Sequence, residues 1–148
     1  MSKEQNEIEN YITTTLREIV SLKNNIDELE NEKKDQFKKL ILGIIDVIDS
    51  FERAEEGLIE KQLNKTDEVF KTMQRYKLVL KKLQNLLSIH GVTKLEFPEN
   101  KLIIGFSKVI DTEPDSNKKN DEIISIVKNG YIKGKELIRD AEIIIVKN

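Results

Sequence analysis

Leu86-Leu87-Ser88-Ile89-His90-Gly91-Val92 is the stretch at which the sequence changes period. Before it, Val69, Phe70, Met73, Tyr76, Leu80, Leu83 and Leu87 fall at helical spacing, with three- and four-residue steps from Phe70 onward. After it, the apolar residues come in short β-rich runs. His90-Gly91 is a stop signal, because glycine can take the left-handed conformation just past a last helical turn. The junction predicts an α+β chain, with a helical region over residues 1–91 and a small all-β domain over residues 92–148.

Upstream, the first sixty residues contain no proline. Apolar side chains fall at Ile8, Ile12, Leu16, Ile19, Leu22, Ile26 and Leu29, then at Phe37, Leu40, Ile44, Ile48 and Phe51. Only Lys33 puts a charge into that register. The stripe is narrow and flanked by Glu, Lys, Asp and Asn, so one helix cannot bury it and a partner helix must cover it. A second copy is the simplest partner, since closed two-fold dimers are the commonest assemblies. The expected dimer interface is Ile12, Ile19, Leu22, Ile26, Leu29, Leu40, Ile44 and Phe51, on paired coiled-coil stalk helices over residues 4–60. From Leu40 to Phe51 the stripe widens to include Ile41, Leu42, Ile45 and Val47, so the helix has more than one neighbour there. Glu60-Lys61-Gln62 and Asn64-Lys65-Thr66-Asp67 read as a helix end, a loop and a new N-cap. The helix over residues 67–90, doubled in a dimer, would complete a four-helix bundle.

Downstream, Val92–Phe97, Leu102–Ile110 and Glu122–Lys128 read as strands. Pro98 and the Asp115-Ser116-Asn117 cluster bound them. Asn129-Gly130 is a strong turn signal that favours positive backbone angles. Tyr131-Ile132, a turn at Lys133-Gly134-Lys135, and a last strand over Glu142–Val146 complete the module. So small a module would lean on the bundle.

Composition narrows the function. Charged residues are 35% and aromatics 5%, the net charge is -2, and acids and bases interleave. There is no basic excess to gather phosphates, so no nucleic-acid partner is expected. The polar face is not richer in Lys than in Glu and Asp, which argues against a membrane surface. The start, Met1-Ser2-Lys3-Glu4-Gln5-Asn6-Glu7, lacks the apolar core of a signal peptide. Cysteine is absent, which removes disulfides and thiolate metal sites. His90 is the single histidine and has no carboxylate at ligand spacing, so no metal is expected; a helix-end role suffices. The glycines lack phosphate-loop spacing, and no catalytic constellation or cofactor site is legible. The chain is expected not to be an enzyme.

Three segments carry a family likeness. Ile44-Ile45-Asp46-Val47-Ile48-Asp49-Ser50-Phe51-Glu52-Arg53-Ala54 resembles the top of the long helix in GrpE proteins. Asn129-Gly130-Tyr131, followed by Ile138-Arg139-Asp140-Ala141-Glu142-Ile143-Ile144-Ile145, resembles that family's C-terminal signature. Leu86–Val92 resembles its link between the second helix and the β-domain. The resemblance implies a cytoplasmic homodimeric nucleotide exchange factor. It would bind the nucleotide-binding domain of a DnaK-type chaperone, open its cleft and accelerate ADP release. In the family the β-domain wedges against the nucleotide-binding lobe. The likeness implies partner-binding roles for Arg53, Gly130, Tyr131, Arg139, Ile143 and Ile145. Departures from the pattern lie at Ser21–Asn25, where only Lys23 is charged, at Pro98-Glu99-Asn100 and Phe106-Ser107-Lys108, and at Lys135, Glu136 and Asp140. They motivate an alternative, a dimeric adaptor of the same fold that binds a partner without exchange activity.

Each residue also has a plainer role. Arg53 could pair with Glu52, Glu55 or Glu56 along its helix. Gly130 could serve only the turn. Tyr131 could cover the β core or present its ring. Arg139 could pair with Asp140 or Glu142. Ile143 and Ile145 alternate with Ile144 and Val146, so one face of the last strand should be core and the other an apolar patch.

Overall fold

The computed structural model describes residues 2–148. Helix α1 runs over Lys3–Glu60 and helix α2 over Asp67–Ile89, joined through a single 3-10 turn at Leu63–Lys65. Gln62, with φ 55, breaks α1 by taking the left-handed conformation. Thr66 is extended at the head of α2, where its carbonyl accepts the Phe70 amide at 2.9 Å. Asp67 and Glu68 sit in the first turn, where the helix dipole favours acids. At the other end Gly91 has φ +75, and its amide donates to the Ser88 carbonyl at 2.9 Å. The stop expected at His90-Gly91 is formed as such a motif should be.

The described residues up to Leu40 make one compact unit and Ile41–Asn148 another, with α1 contributing to both. In the first unit the apolar stripe is uncovered: Ile8, Ile12, Leu16, Ile19, Leu22, Ile26 and Leu29 are all exposed. In the second unit Ile41, Ile45 and Ile48 are fully buried, which is what the widened stripe called for.

The C-terminal region holds six strands: β1 Val92–Lys94, β2 Ser107–Glu113, β3 Ile123–Lys128, β4 Tyr131–Lys133, β5 Glu136–Arg139 and β6 Ala141–Val146. They form two three-stranded sheets, ordered β1-β4-β5 and β2-β6-β3. The first sheet is antiparallel throughout, with Lys94 opposite Tyr131 and Tyr131 opposite Arg139. In the second, β6 is central, parallel to β2 and antiparallel to β3. Its core is Ile123, Ala141, Ile143 and Ile145, with Phe97 and Leu102 packed against it.

Several expected boundaries move. The run Val92–Phe97 is a strand only to Lys94, because Pro98 opens a short 3-10 turn and both Glu99 and Asn100 have positive φ. Leu102–Ile110 is not one strand. Gly105, at φ +87, bends the chain, and the strand begins at Ser107 and continues through the polar Asp111-Thr112-Glu113. Those polar residues stay extended because each pairs with β6. Strand β5 was not anticipated: its four residues carry too short an alternation to stand out. The turn expected at Lys133-Gly134-Lys135 is present, with Gly134 at φ +60, and it joins β4 to β5 as a hairpin.

Asn129-Gly130 is not a hairpin turn. It carries the chain from β3 in one sheet to β4 in the other, and Gly130 is absent from the positive-φ glycines, Gly91, Gly105 and Gly134. The glycine is required for space instead. A Cβ there would lie 2.5 Å from Leu95 Cδ1 and 2.8 Å from the Ala141 amide nitrogen.

Candidate functional site

The polar centre of the molecule is built on one turn of α1. Asp49 lies beside Ile48, in line with Ile41 and Ile45, and is the buried charged residue of that face. A buried carboxylate is tolerated only when paired and hydrogen-bonded. Arg139, at the end of β5, supplies the pair. Its Nη1 donates to Asp49 Oδ2 at 2.7 Å and its Nη2 to Asp49 Oδ1 at 3.1 Å. The Asp46 carboxylate lies 3.9 Å from Nη1. The Nε and Nη2 of the same guanidinium also donate to the Asn129 carbonyl, at 3.0 and 2.6 Å. Its Cζ sits 5.5 Å from the centre of the Tyr131 ring, within cation–π range.

One turn further along α1, Glu52 accepts from Asn129 Nδ2 at 3.2 Å and pairs with Lys94 Nζ at 3.2 Å. Two acids on one helix face therefore hold three residues of the β region. Tyr131 is buried among them, and its hydroxyl has no hydrogen-bond partner among the described residues. Burial pushes this phenol up to about 12; the carboxylates of Glu52 and Asp49 push the same way, and Arg139 opposes them.

This arrangement decides several open roles. Arg139 pairs with Asp49, ninety positions away, and not with Asp140 or Glu142. Asp140 and Glu142 lie past the end of β5, on the passage to β6 and on β6 itself, whereas the α1 carboxylate meets the guanidinium head-on. Tyr131 covers the core. Arg53 is exposed, and its Nε donates to the Asp49 carbonyl at 3.4 Å. Ile143 and Ile145 are buried with Val146, so the half-exposed apolar position on β6 is Ile144. The side chains of Ile143 and Ile145 are core and are not presented at the surface. Sequence reasoning missed Glu52, Asn129 and Lys94 as a group, and Asp49 as their centre. The signal for Asp49 was an acid in the register of Ile41 and Ile45.

The second feature is apolar. Between α1 and α2 runs a groove of about 800 Å³ lined by Val47, Phe51, Leu58, Val69, Met73 and Tyr76. Phe51 and Tyr76 touch across it with ring centroids 5.7 Å apart, and Lys77 pairs with Glu55 at 3.0 Å. Of the expected interface residues, Ile12, Ile19, Leu22, Ile26, Leu29 and Leu40 are exposed, and Ile44 and Phe51 are half-buried. Among the described residues no cluster of His, Cys, Asp and Glu could hold a metal ion, and no helix is long and apolar enough to cross a membrane.

Comparison with known proteins matches residues 1–147 to the GrpE family model. The chain is 26% identical over 145 residues to Protein GrpE of Fusobacterium nucleatum subsp. nucleatum, covering 95% of this chain and 70% of that one. It is 31% identical over 159 residues to Protein GrpE 2 of Buchnera aphidicola subsp. Schizaphis graminum, covering 99% and 82%. Against Protein GrpE of Alkaliphilus oremlandii the identity is 28% over 123 residues, covering 80% and 63%.

Proposed function

The chain belongs to the GrpE family, and from that premise we propose that it is a nucleotide exchange factor for a DnaK-type chaperone. It binds the chaperone's nucleotide-binding domain, favours the open cleft and so accelerates release of ADP. The family match across residues 1–147 carries this reading. The chemistry is differential binding. A protein that prefers the open state shifts the chaperone toward it, and by reciprocity ADP weakens the complex by the same factor. No covalent step falls to this chain.

The working unit in this reading is a cytoplasmic homodimer. A second copy covers the stripe from Ile8 to Leu29 and fills the groove beside Phe51 and Tyr76, which supports the dimer because large exposed apolar surfaces mark contact sites. Residues 1–91 dimerise, and residues 92–148 form the part that reaches the chaperone. Arg53, exposed on α1, suits direct contact. Gly130, Tyr131, Arg139, Ile143 and Ile145 act on the partner through the shape they give the β region.

The test is stopped-flow release of a fluorescent ADP from the DnaK-type chaperone of the same cell. An accelerated rate that saturates with added protein supports exchange. Binding without acceleration would replace this reading with that of an adaptor.

A further inference from the structure

We propose that Asp49 and Arg139 form an orienting joint, making both positioning residues for the exchange activity; the exchange part of this rests on the reading above. Of the chain's three passages between its two sheets, two are short: at Asn129-Gly130, from β3 to β4, and at Asp140, from β5 to β6. Arg139 stands at the second of these and holds the carbonyl of Asn129 at the first. The hub where the sheets meet is thus gripped by one guanidinium, and that guanidinium is gripped by α1 through Asp49.

Apolar packing holds surfaces together without fixing their rotation, because it is non-directional. A two-pronged guanidinium–carboxylate pair fixes both direction and plane. Here the pair is nearly dry, with side-chain exposures of 11% and 9%. Burying such a pair adds little net stability compared with an apolar pair of the same size. What it adds here is geometry. Glu52 prevents pivoting about that single contact, because it holds Asn129 and Lys94 one helical turn away. A β region that must hold another protein's cleft open can do so only if its own attachment does not yield.

The chain has no cysteine, so labels can be placed singly. Spin labels at Glu56→Cys on α1 and Lys119→Cys between β2 and β3, both exposed, report the orientation by pulsed dipolar distance measurement. Labelled protein is diluted with unlabelled chain so that one copy per dimer is read. Asp49→Asn and Arg139→Lys are compared with the parent, after far-UV circular dichroism confirms the fold. Arg139→Lys keeps the charge and loses the fork, so it is the deciding variant if Asp49→Asn does not fold.

The expected result is a broader distance distribution in each folded variant. Unlabelled variants should show a plateau rate of ADP release lowered about tenfold, in the ordinary range of coupling between sites. Unchanged distance distributions overturn the joint. Broadened distances with an unchanged plateau overturn the positioning role and leave a structural pair. A parent protein that never accelerates release overturns the exchange reading, while the distances still decide the joint.

Discussion

The Arg139 guanidinium meets the Asp49 carboxylate with two hydrogen bonds of 2.7 and 3.1 Å, across ninety positions of chain. The consequence for stability is asymmetric. Removing one partner leaves the other charge buried and unpaired, which costs far more than the pair contributes. Asp49→Ala is expected to lower unfolding free energy by about 3 kcal/mol. Urea titration measures this, and a loss no larger than that of an exposed pair such as Lys101–Glu99 would count against a buried charge at this site.

Gly130→Ala tests the crossing of the sheets. The new methyl meets both a leucine side chain and the Ala141 backbone nitrogen, so the chain must shift. A loss of roughly 1–3 kcal/mol is expected, as for other overpacked sites. Adding Leu95→Ala removes one obstacle and leaves the other. Full recovery of the thermal midpoint in that double variant would show that the backbone contact does not matter.

Tyr131→Phe removes a hydroxyl with no partner among the described residues, so near-neutral or slightly higher stability is expected at pH 7. The alkaline limb separates the two proteins. The folded phenol is raised to about 12 from its ordinary 10, so the folded state keeps its proton after the unfolded state has lost it. Its contribution is complete below pH 10 and is lost as pH rises toward 12. The parent should therefore lose stability faster than Tyr131→Phe between pH 10 and 12. Parallel curves in urea titrations would show that Tyr131 does not titrate as its burial requires.

Ile26→Asp places a charge in the exposed stripe of α1. If a second copy covers that stripe, the dimer should weaken by about 2 kcal/mol or more, the worth of one buried aliphatic side chain. Sedimentation equilibrium reads the shift toward monomer. Lys33→Leu should act in the opposite sense, since a charged residue in a coiled-coil seam lowers its stability. An unchanged association constant in both variants would rule out the stripe as the seam.

Much of the fold was legible in the sequence because it depends on local rules. Three- and four-residue spacing from Ile8 to Phe51 and from Val69 to Leu87 specified two helices, and Gly91 specified where the second stops. Glycine is needed at that position by backbone geometry, whatever surrounds it. Family likeness was legible for the same reason: its three segments are short and ordered along the chain. The turn at Gly134 followed from local chemistry alone.

What only the tertiary structure decided were relations between residues far apart in the chain. Asn129-Gly130 carries a hairpin signature, yet sheet pairing made it a crossing, because β3 finds β6 and β4 finds β1 and β5. Ile143 and Ile145 could have faced either way on an apolar strand; the packing of Phe97 and Leu102 against that sheet turned them inward. Arg139 had acids one and three residues away in its own segment and took Asp49 instead. Those two acids follow the end of β5, where the chain leaves for the other sheet, while α1 brings the Asp49 carboxylate to the guanidinium at bonding distance. Periodicity along a chain records which side of an element is buried. Which other element lies against that side is set by the packing of the whole.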